Sequence, residues 1–383
     1  MLRPILSFAS ALALAVPACA QAQDFLLYKF EGACSNEVVN FAPGSTVGNG
    51  TLVANFGDGI SPGFFGEGLA AGQQTPTLRN LVDTNWNPST DPLTGNVTIA
   101  FWARQEQAFL TQLSYLFGMS GSGFRIFTNG AAGRGLYLRS ATSPVTDMLL
   151  PDTTTDFQAL AANAWVHIAI TLDDTAHVAT WYVNGTSVFT QANIGTVQVL
   201  TGGELQLGGY AGATGSAYTL DEVLFSRSLY PPAAIALLAT STRAGDGSYL
   251  TGSTTQCGAG NVTLDSVGGR PSLGNALYSL RITPNAPSAW LLLYGENRCT
   301  FAGTAPLPLD GGLLLPFLSG CTMLADPLVV LSGLGGPANP GLIPLPITPA
   351  VPFGANVWCQ ALTIALPGNA VSMSPGFAVG VGN

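Results

Sequence analysis

The sequence predicts an all-β chain made of two antiparallel β-sandwiches in succession, the second smaller than the first. Apolar residues recur with a period of two in short runs along most of the 383 residues. The 47 glycines and 26 prolines punctuate those runs without a triplet repeat, which suits many short strands and turns. Helical character is confined to one short segment, Pro231–Ala239.

In chain order, residues 1–22 read as an export signal. Arg3 is the charged end, Ile5–Val16 the apolar core and Pro17 the break. Ala18-Cys19-Ala20 and Ala20-Gln21-Ala22 both offer a small-x-small cleavage site. Lipid attachment at Cys19 is the alternative, and Pro17 fits that signal poorly. The expected location is secreted or cell-surface, with no membrane-spanning run after the signal. Residues 23–240 then form the first sandwich, 241–258 a small, polar, glycine-rich linker and 259–383 the second β-domain.

Trp165–Phe189 carries the strongest local signal. Val166, Ile168, Ile170 and Leu172 face one way, while Trp165, His167, Ala169 and Thr171 face the other. Asp173-Asp174-Thr175 turns the chain into Val178–Val183. Asn184-Gly185 follows, the pair suited to a type I′ turn because both residues need φ above zero, and Ser187–Gln191 begins the next strand.

Trp165-Val166-His167-Ile168-Ala169, Trp181-Tyr182-Val183-Asn184-Gly185 and Leu220-Asp221-Glu222-Val223, with Arg227-Ser228-Leu229 and a helix, resemble the laminin-G-like jelly roll. That domain belongs to the concanavalin A-like lectin/glucanase superfamily. Val97–Arg104 matches its early core strand, and Phe30 with Val39-Asn40-Phe41 its opening strand. The resemblance covers about residues 25–240 and implies a jelly-roll sandwich.

Beyond Cys257 charge nearly vanishes, and alternation resumes at Ala276–Ile282, Ala289–Tyr294, Met323–Leu331, Val357–Leu366 and Phe377–Val381. The short apolar run Leu313–Leu318, broken by Pro316, reads as buried strand. Gln256-Cys257-Gly258, Pro271–Asn275, Gly320-Cys321, Leu345–Pro349 and Cys359–Leu362 resemble a C-terminal β-module that recurs on exported bacterial proteins. Reuse behind different front domains implies attachment or spacing rather than chemistry.

Either cleavage leaves Cys34, Cys257, Cys299, Cys321 and Cys359, and an exported setting favours disulfides. The expected pairing is Cys257–Cys321 and Cys299–Cys359 with Cys34 left over, although spacing does not decide connectivity. No cysteine–histidine cluster has zinc spacing.

Net charge is −9 and only 9% of residues are charged, so the basic footprint that nucleic acid requires is missing. The superfamily includes glycoside hydrolases, which need two carboxylates flanking one bond. Asp221 and Glu222 are adjacent on a strand and point to opposite faces, and no Glu-x-Asp-x-Glu pattern occurs. An enzyme is therefore not expected. His167 reads as a packed sheet histidine. The resemblance brings calcium forward as the candidate ion, and the loop or strand-end acids to examine are Asp58, Asp173, Asp174 and Asp221. Trp86, Tyr137 and Tyr210 are the candidates for stacking on sugar rings, with Trp102, Trp165 and Trp181 assigned to the core.

The expected function is non-catalytic binding or adhesion, with a glycan or cell-surface or matrix component as partner. The alternatives are a structural surface protein without a specific ligand and a diverged polysaccharide hydrolase or lyase.

Overall fold

The computed structural model describes residues 24–32, 36–55, 57–70, 80–106, 113–129, 134–139, 141–162, 164–209, 216–249, 262–314, 316–352, 354–368 and 370–382. The export signal, Cys34, Tyr210 and Cys257 lie outside them. Among the described residues no helix is long and apolar enough to cross a membrane.

Two eight-stranded antiparallel sheets face each other in the first sandwich. One, here sheet I, runs Thr186–Ala192, Val178–Val183, Val166–Asp173, Val97–Gln105, Tyr218–Ser226, Glu67–Ala70 and Ile60–Pro62, with Asp24–Tyr28 also pairing with Tyr218–Ser226. The other, sheet II, runs Met148–Leu150, Leu136–Arg139, Arg125–Thr128, Ser114–Gly118, Gln206–Leu207, Asn80–Asp83, Gly50–Ala54 and Glu37–Val38. Strand alternation builds the core between them. Ile99, Phe101, Ile168 and Ile170 of sheet I meet Leu116, Ile126, Leu136 and Leu138 of sheet II. Each such side chain, fully removed from water, contributes roughly 1.5–3 kcal/mol.

The hairpin turn forms as the sequence predicts, with Asn184 at φ +47° and Gly185 at φ +79°. Gly185 is required twice over, because a Cβ there would stand 2.9 Å from the Ala236 Cα. Ala236 belongs to the helix Pro232–Leu238, whose Pro231 and Pro232 suit its first positions because no N–H is needed there. Ile235 and Leu238 cover the outer face of sheet I at Ala100, Ala169, Tyr182 and Leu224.

In the second sandwich a five-stranded sheet runs Gly245–Tyr249, Val371–Gly380, Asn356–Ala365, Ser288–Gly295 and Val329–Gly335. It packs on the three-stranded sheet Thr263–Val267, Ser279–Thr283 and Gly341–Pro344 around Leu280, Ile282, Leu292, Cys359 and Phe377. Residues 245–249, expected within a linker, are thus a strand, whose Tyr249 is 1% exposed and packs edge-on against Trp358. Leu313–Leu318 is not a buried strand. It forms parts of two 3-10 turns, seeded by Asp310 Oδ1 accepting the Gly312 N–H at 2.9 Å, and Leu313 is 74% exposed. Met323–Leu331 splits at Asp326-Pro327 into Thr322–Met323 and Val329–Gly335.

Cys299 and Cys321 each take part in a disulfide, and the expected Cys257–Cys321 pairing involves Cys257, which lies outside the described residues. Cys359 is a free, buried thiol, so the expected Cys299–Cys359 pairing does not form. The reason is placement. Cys359 faces the core of the second sandwich, while the Cys299 thiol lies 3.8 Å from the Gly32 carbonyl at the junction with the first. There the buried Arg298 guanidinium donates to the carbonyls of Gly32 at 2.5 Å and Glu37 at 3.0 Å and lies over the Trp358 ring. The second sandwich and the helix thus cover part of the outer face of sheet I. The outer face of sheet II lies on the opposite side of the first sandwich.

Candidate functional site

Tyr137 sits between Leu136 and Leu138, both fully buried in the core, so it projects from the outer face of sheet II. The same alternation places Phe127 outward beside the core residue Ile126. A bulge in the neighbouring strand skips Leu116 and brings Tyr115 opposite Phe127. Tyr137, Phe127 and Tyr115 therefore form one cross-strand aromatic row. Tyr137 stacks on Phe127 with centroids 5.2 Å apart and planes 12° apart, and Tyr115 tilts against Phe127 at 5.5 Å. Phe127 is the hub, with the Arg139 guanidinium 5.2 Å from its centroid and Arg125 at 6.0 Å.

A second, polar row runs two residues farther along the strands of Tyr137 and Phe127 and, because of the bulge, three residues beyond Tyr115. Arg139 pairs with Arg125, Arg125 with Gly118, Gly118 with Gln206, Gln206 with Asp83 and Asp83 with Thr51. Asp147 accepts both arms of Arg139, at 2.8 and 2.6 Å, and that bidentate bond raises the arginine pKa. Gln206 donates to Asp83 Oδ1 at 2.5 Å, while its own Oε1 finds no hydrogen-bond partner among the described residues. Gly118 has no side chain, so the row dips between Arg125 and Gln206. Phe127 and Tyr115 are only 4 and 8% exposed, so Tyr137 is the ring of this row that solvent reaches, beside a line of donors and acceptors with a gap in it.

Residues 81–236 match the family model described as the concanavalin A-like lectin/glucanases superfamily, Laminin_G_3. The first sandwich is a jelly roll that is similar to that family over these residues. Search of the curated proteins gave no match. Among solved structures the chain is similar to the binding domain of Paraclostridial Mosquitocidal Protein 1, at 13% identity and a TM-score of 0.42 over 69% of this chain. The match spans 65% of that domain, under two thirds of its length. It is also similar to domain 4 of AbnA, a GH43 extracellular arabinanase from Geobacillus stearothermophilus, in complex with arabinotriose. There identity is 18% and the TM-score 0.40, over 57% of this chain and 99% of that one. The binding domain of botulinum neurotoxin serotype G matches at 10% identity and a TM-score of 0.41, over 93% of this chain and 92% of that one. No argument about a ligand follows from likeness this distant.

Of the described residues singled out in the sequence, Tyr137 alone belongs to the two-row face of the jelly roll. Trp86 is not a surface aromatic. It is fully buried, packs edge-on against Phe25 and Phe124, and its Nε1 donates to the Asp91 carbonyl at 2.9 Å. Trp181 lies in the core as expected, but Trp102 faces outward from sheet I, capped by Phe64 stacked at 3.5 Å. Trp165 is half-buried beneath the Arg104 guanidinium at 5.0 Å. His167 packs against Trp102, and burial pushes its pKa down to about 3, so it stays neutral.

The four acids examined for calcium do not converge, and among the described residues no three His, Cys, Asp or Glu side chains cluster. Asp173 Oδ1 caps its own turn at Thr175 and Ala176, and Asp174 Oδ1 accepts the Val197 N–H at 2.6 Å. Asp58 is exposed in a separate loop. Asp221 is fully buried and accepts the N–H groups of Phe64, Phe65 and Glu222 at 2.7–2.8 Å. Its oxygens are occupied, so this donor set does not fit the six to eight oxygen ligands calcium takes. Glu222 is equally sequestered, its carboxylate accepting from Thr242 and from the Arg243 N–H. Neither acid reaches a face where a substrate could bind.

Sequence reasoning missed Tyr115, Phe127, Arg125, Arg139 and Gln206. A signal for three of them was present, since Arg125-Ile126-Phe127 and Leu136-Tyr137-Leu138-Arg139 alternate core and outward residues. The bulge that aligns Tyr115 left none.

Proposed function

We propose that the jelly roll binds a glycan on the outer face of sheet II without making or breaking bonds. The observation that carries this is the pairing of the Tyr137–Phe127–Tyr115 row with the Arg125–Gly118–Gln206–Asp83 row. Sugar rings present apolar C–H faces that stack on aromatics and hydroxyl rims that need paired donors and acceptors. The buried, already paired Asp221 and Glu222 support recognition rather than hydrolysis. Export through residues 1–22 and attachment or spacing by the second sandwich complete the reading.

A glycan array probed with the full chain, with and without a calcium chelator, tests it. The expected result is retention on a defined glycan set, unchanged by the chelator. Tyr137→Ala should weaken binding by about 30-fold, on the order of 2 kcal/mol. Absence of any bound glycan, or binding untouched by Tyr137→Ala and Gln206→Ala together, overturns the assignment.

A further inference from the structure

We propose that the Val329–Gly335 strand is a docking edge for a second copy of this chain, which adds its own Val329–Gly335 strand antiparallel across a two-fold axis. This strand ends the five-stranded sheet. One of its edges pairs with Ser288–Gly295, and no strand among the described residues pairs with the other. The open edge presents a row of backbone donors and acceptors.

Side chains beside that edge are apolar on both faces of the sheet. Leu328, Val329, Val330, Leu331 and Leu334 are 64, 44, 51, 41 and 73% exposed. Successive residues alternate between faces, so an incoming strand would be gripped from both sides. Leu342, 57% exposed on the neighbouring Gly341–Pro344 strand, extends the patch.

Proteins ordinarily blunt such an edge with lysine, an internal proline, a bulge or a covering element. Along Val329–Gly335 none is present among the described residues, and only past the strand does the turn bridging Gly336 and Asn339 close this edge. Residues 328–336 contain no charge and no proline, and their register with Ser288–Gly295 runs unbroken. The opposite end of the same sheet is protected, since a Cβ on Gly247 would stand 2.4 Å from the Asn40 carbonyl of the jelly roll. The end strand of sheet I, Thr186–Ala192, is mostly threonine, serine and glutamine.

Its occupant must be an extended segment with apolar side chains on both faces and no charge to desolvate. The chain's own strand has that composition, and an isologous two-fold contact places the same patch on each side. Charge selects the direction of pairing. Asp326 precedes the strand, and Gly336-Pro337-Ala338 follow it. Antiparallel pairing sets each Asp326 toward the partner's uncharged end, whereas parallel pairing would bring the two carboxylates together. One added strand pair should bury less than the ~800 Å² per partner of a standard interface, so dissociation in the micromolar range is expected. This inference stands independently of the glycan reading, whose residues lie on the jelly roll.

Sedimentation of the full chain from about 1 to 100 μM, the range where such contacts titrate, tests the proposal. The parent should pass from one to two chains per particle. Val330→Lys with Leu334→Lys, and separately Val330→Glu with Leu334→Glu, should each remain monomeric with unchanged melting. Mixed in equal amounts, the two variants should regain the dimer, because lysine then meets glutamate. An unfolded variant could not do so. A parent that stays monomeric throughout, as it would if the edge took some other extended peptide, overturns the proposal, as does a dimer that survives both substitutions.

Discussion

Lys29 and Glu222 face each other 3.9 Å apart at the junction of the two sandwiches, with the Thr242 hydroxyl bonded to both. Lys29 is the chain's only lysine, is 1% exposed, and donates to Thr242 Oγ1 at 2.8 Å. Glu222 is brought there by a bulge between Asp221 and Leu224, at φ +48°. Holding a non-glycine residue in that region costs about 1–2 kcal/mol, a strain the surrounding bonds must offset. Burial lowers the lysine pKa, and the Glu222 charge acts against that shift.

Lys29→Met should therefore be strongly destabilising, since it leaves a buried carboxylate without its cation. A loss of roughly 3–5 kcal/mol is expected in denaturant unfolding. Adding Glu222→Gln removes the unpaired charge while keeping an acceptor, and should recover at least half of that loss. Equal stability of Lys29→Met and the parent would show that the pair does not hold the junction.

Glu31 gives the junction a pH dependence. Its Oε1 accepts the Glu67 N–H at 3.3 Å, and the Glu67 carboxylate accepts the Gly32 N–H at 2.7 Å. Burial, reinforced by the Glu67 and Glu222 charges, pushes the Glu31 carboxyl from 4.5 up to about 8. The folded state thus prefers the protonated acid. This contribution is complete below the unfolded value of 4.5 and is lost as pH rises through about 8. Unfolding free energy should fall by up to ~4 kcal/mol from this group across that window. Glu31→Gln should flatten the profile, and a parent equally stable at both ends would refute the shift.

Much of the jelly roll was legible because its signals are local. The alternation at Val166–Asp173 and the φ preferences of Asn184-Gly185 specify strand and turn without reference to distant residues. Leu313–Leu318 was misread because apolar composition was taken for burial, while Asp310 and the glycines after it favour a turn. Trp86 lies outside the regular strands, and its burial depends on Phe25, Phe124 and the Asp91 carbonyl. The binding face was half legible. Tyr137 stands out between two core leucines, but its alignment with Tyr115 rests on a bulge, and its polar neighbours come from strands more than a hundred positions apart.

Cys359 should be chemically silent in the native protein. It is fully buried in the second sandwich, and burial pushes its thiol up to about 12, far from the thiolate that alkylating reagents attack. Iodoacetamide at about pH 8, just below an ordinary thiol pKa, should leave it unmodified in the folded chain. In guanidinium without reductant it should react fully, with the label mapped to the peptide containing Cys359. A peptide that becomes reactive only after reduction would restore the discarded disulfide.

Gly118 tests whether the two-row face acts as a binding surface. It lies in register with Arg125 on one side and Gln206 on the other, where a side chain would fill the gap in the polar row. Gly118→Leu projects outward from a strand whose neighbouring core residue Phe117 is untouched. Gly118 is itself buried, so only a variant that keeps the parent's melting transition is compared in binding. Glycan binding should fall at least 10-fold, about 1.4 kcal/mol, because the rim of the sugar can no longer reach Gln206 and Asp83. The pattern separates this face from alternatives elsewhere on the jelly roll, where a substitution at Gly118 would leave affinity unchanged.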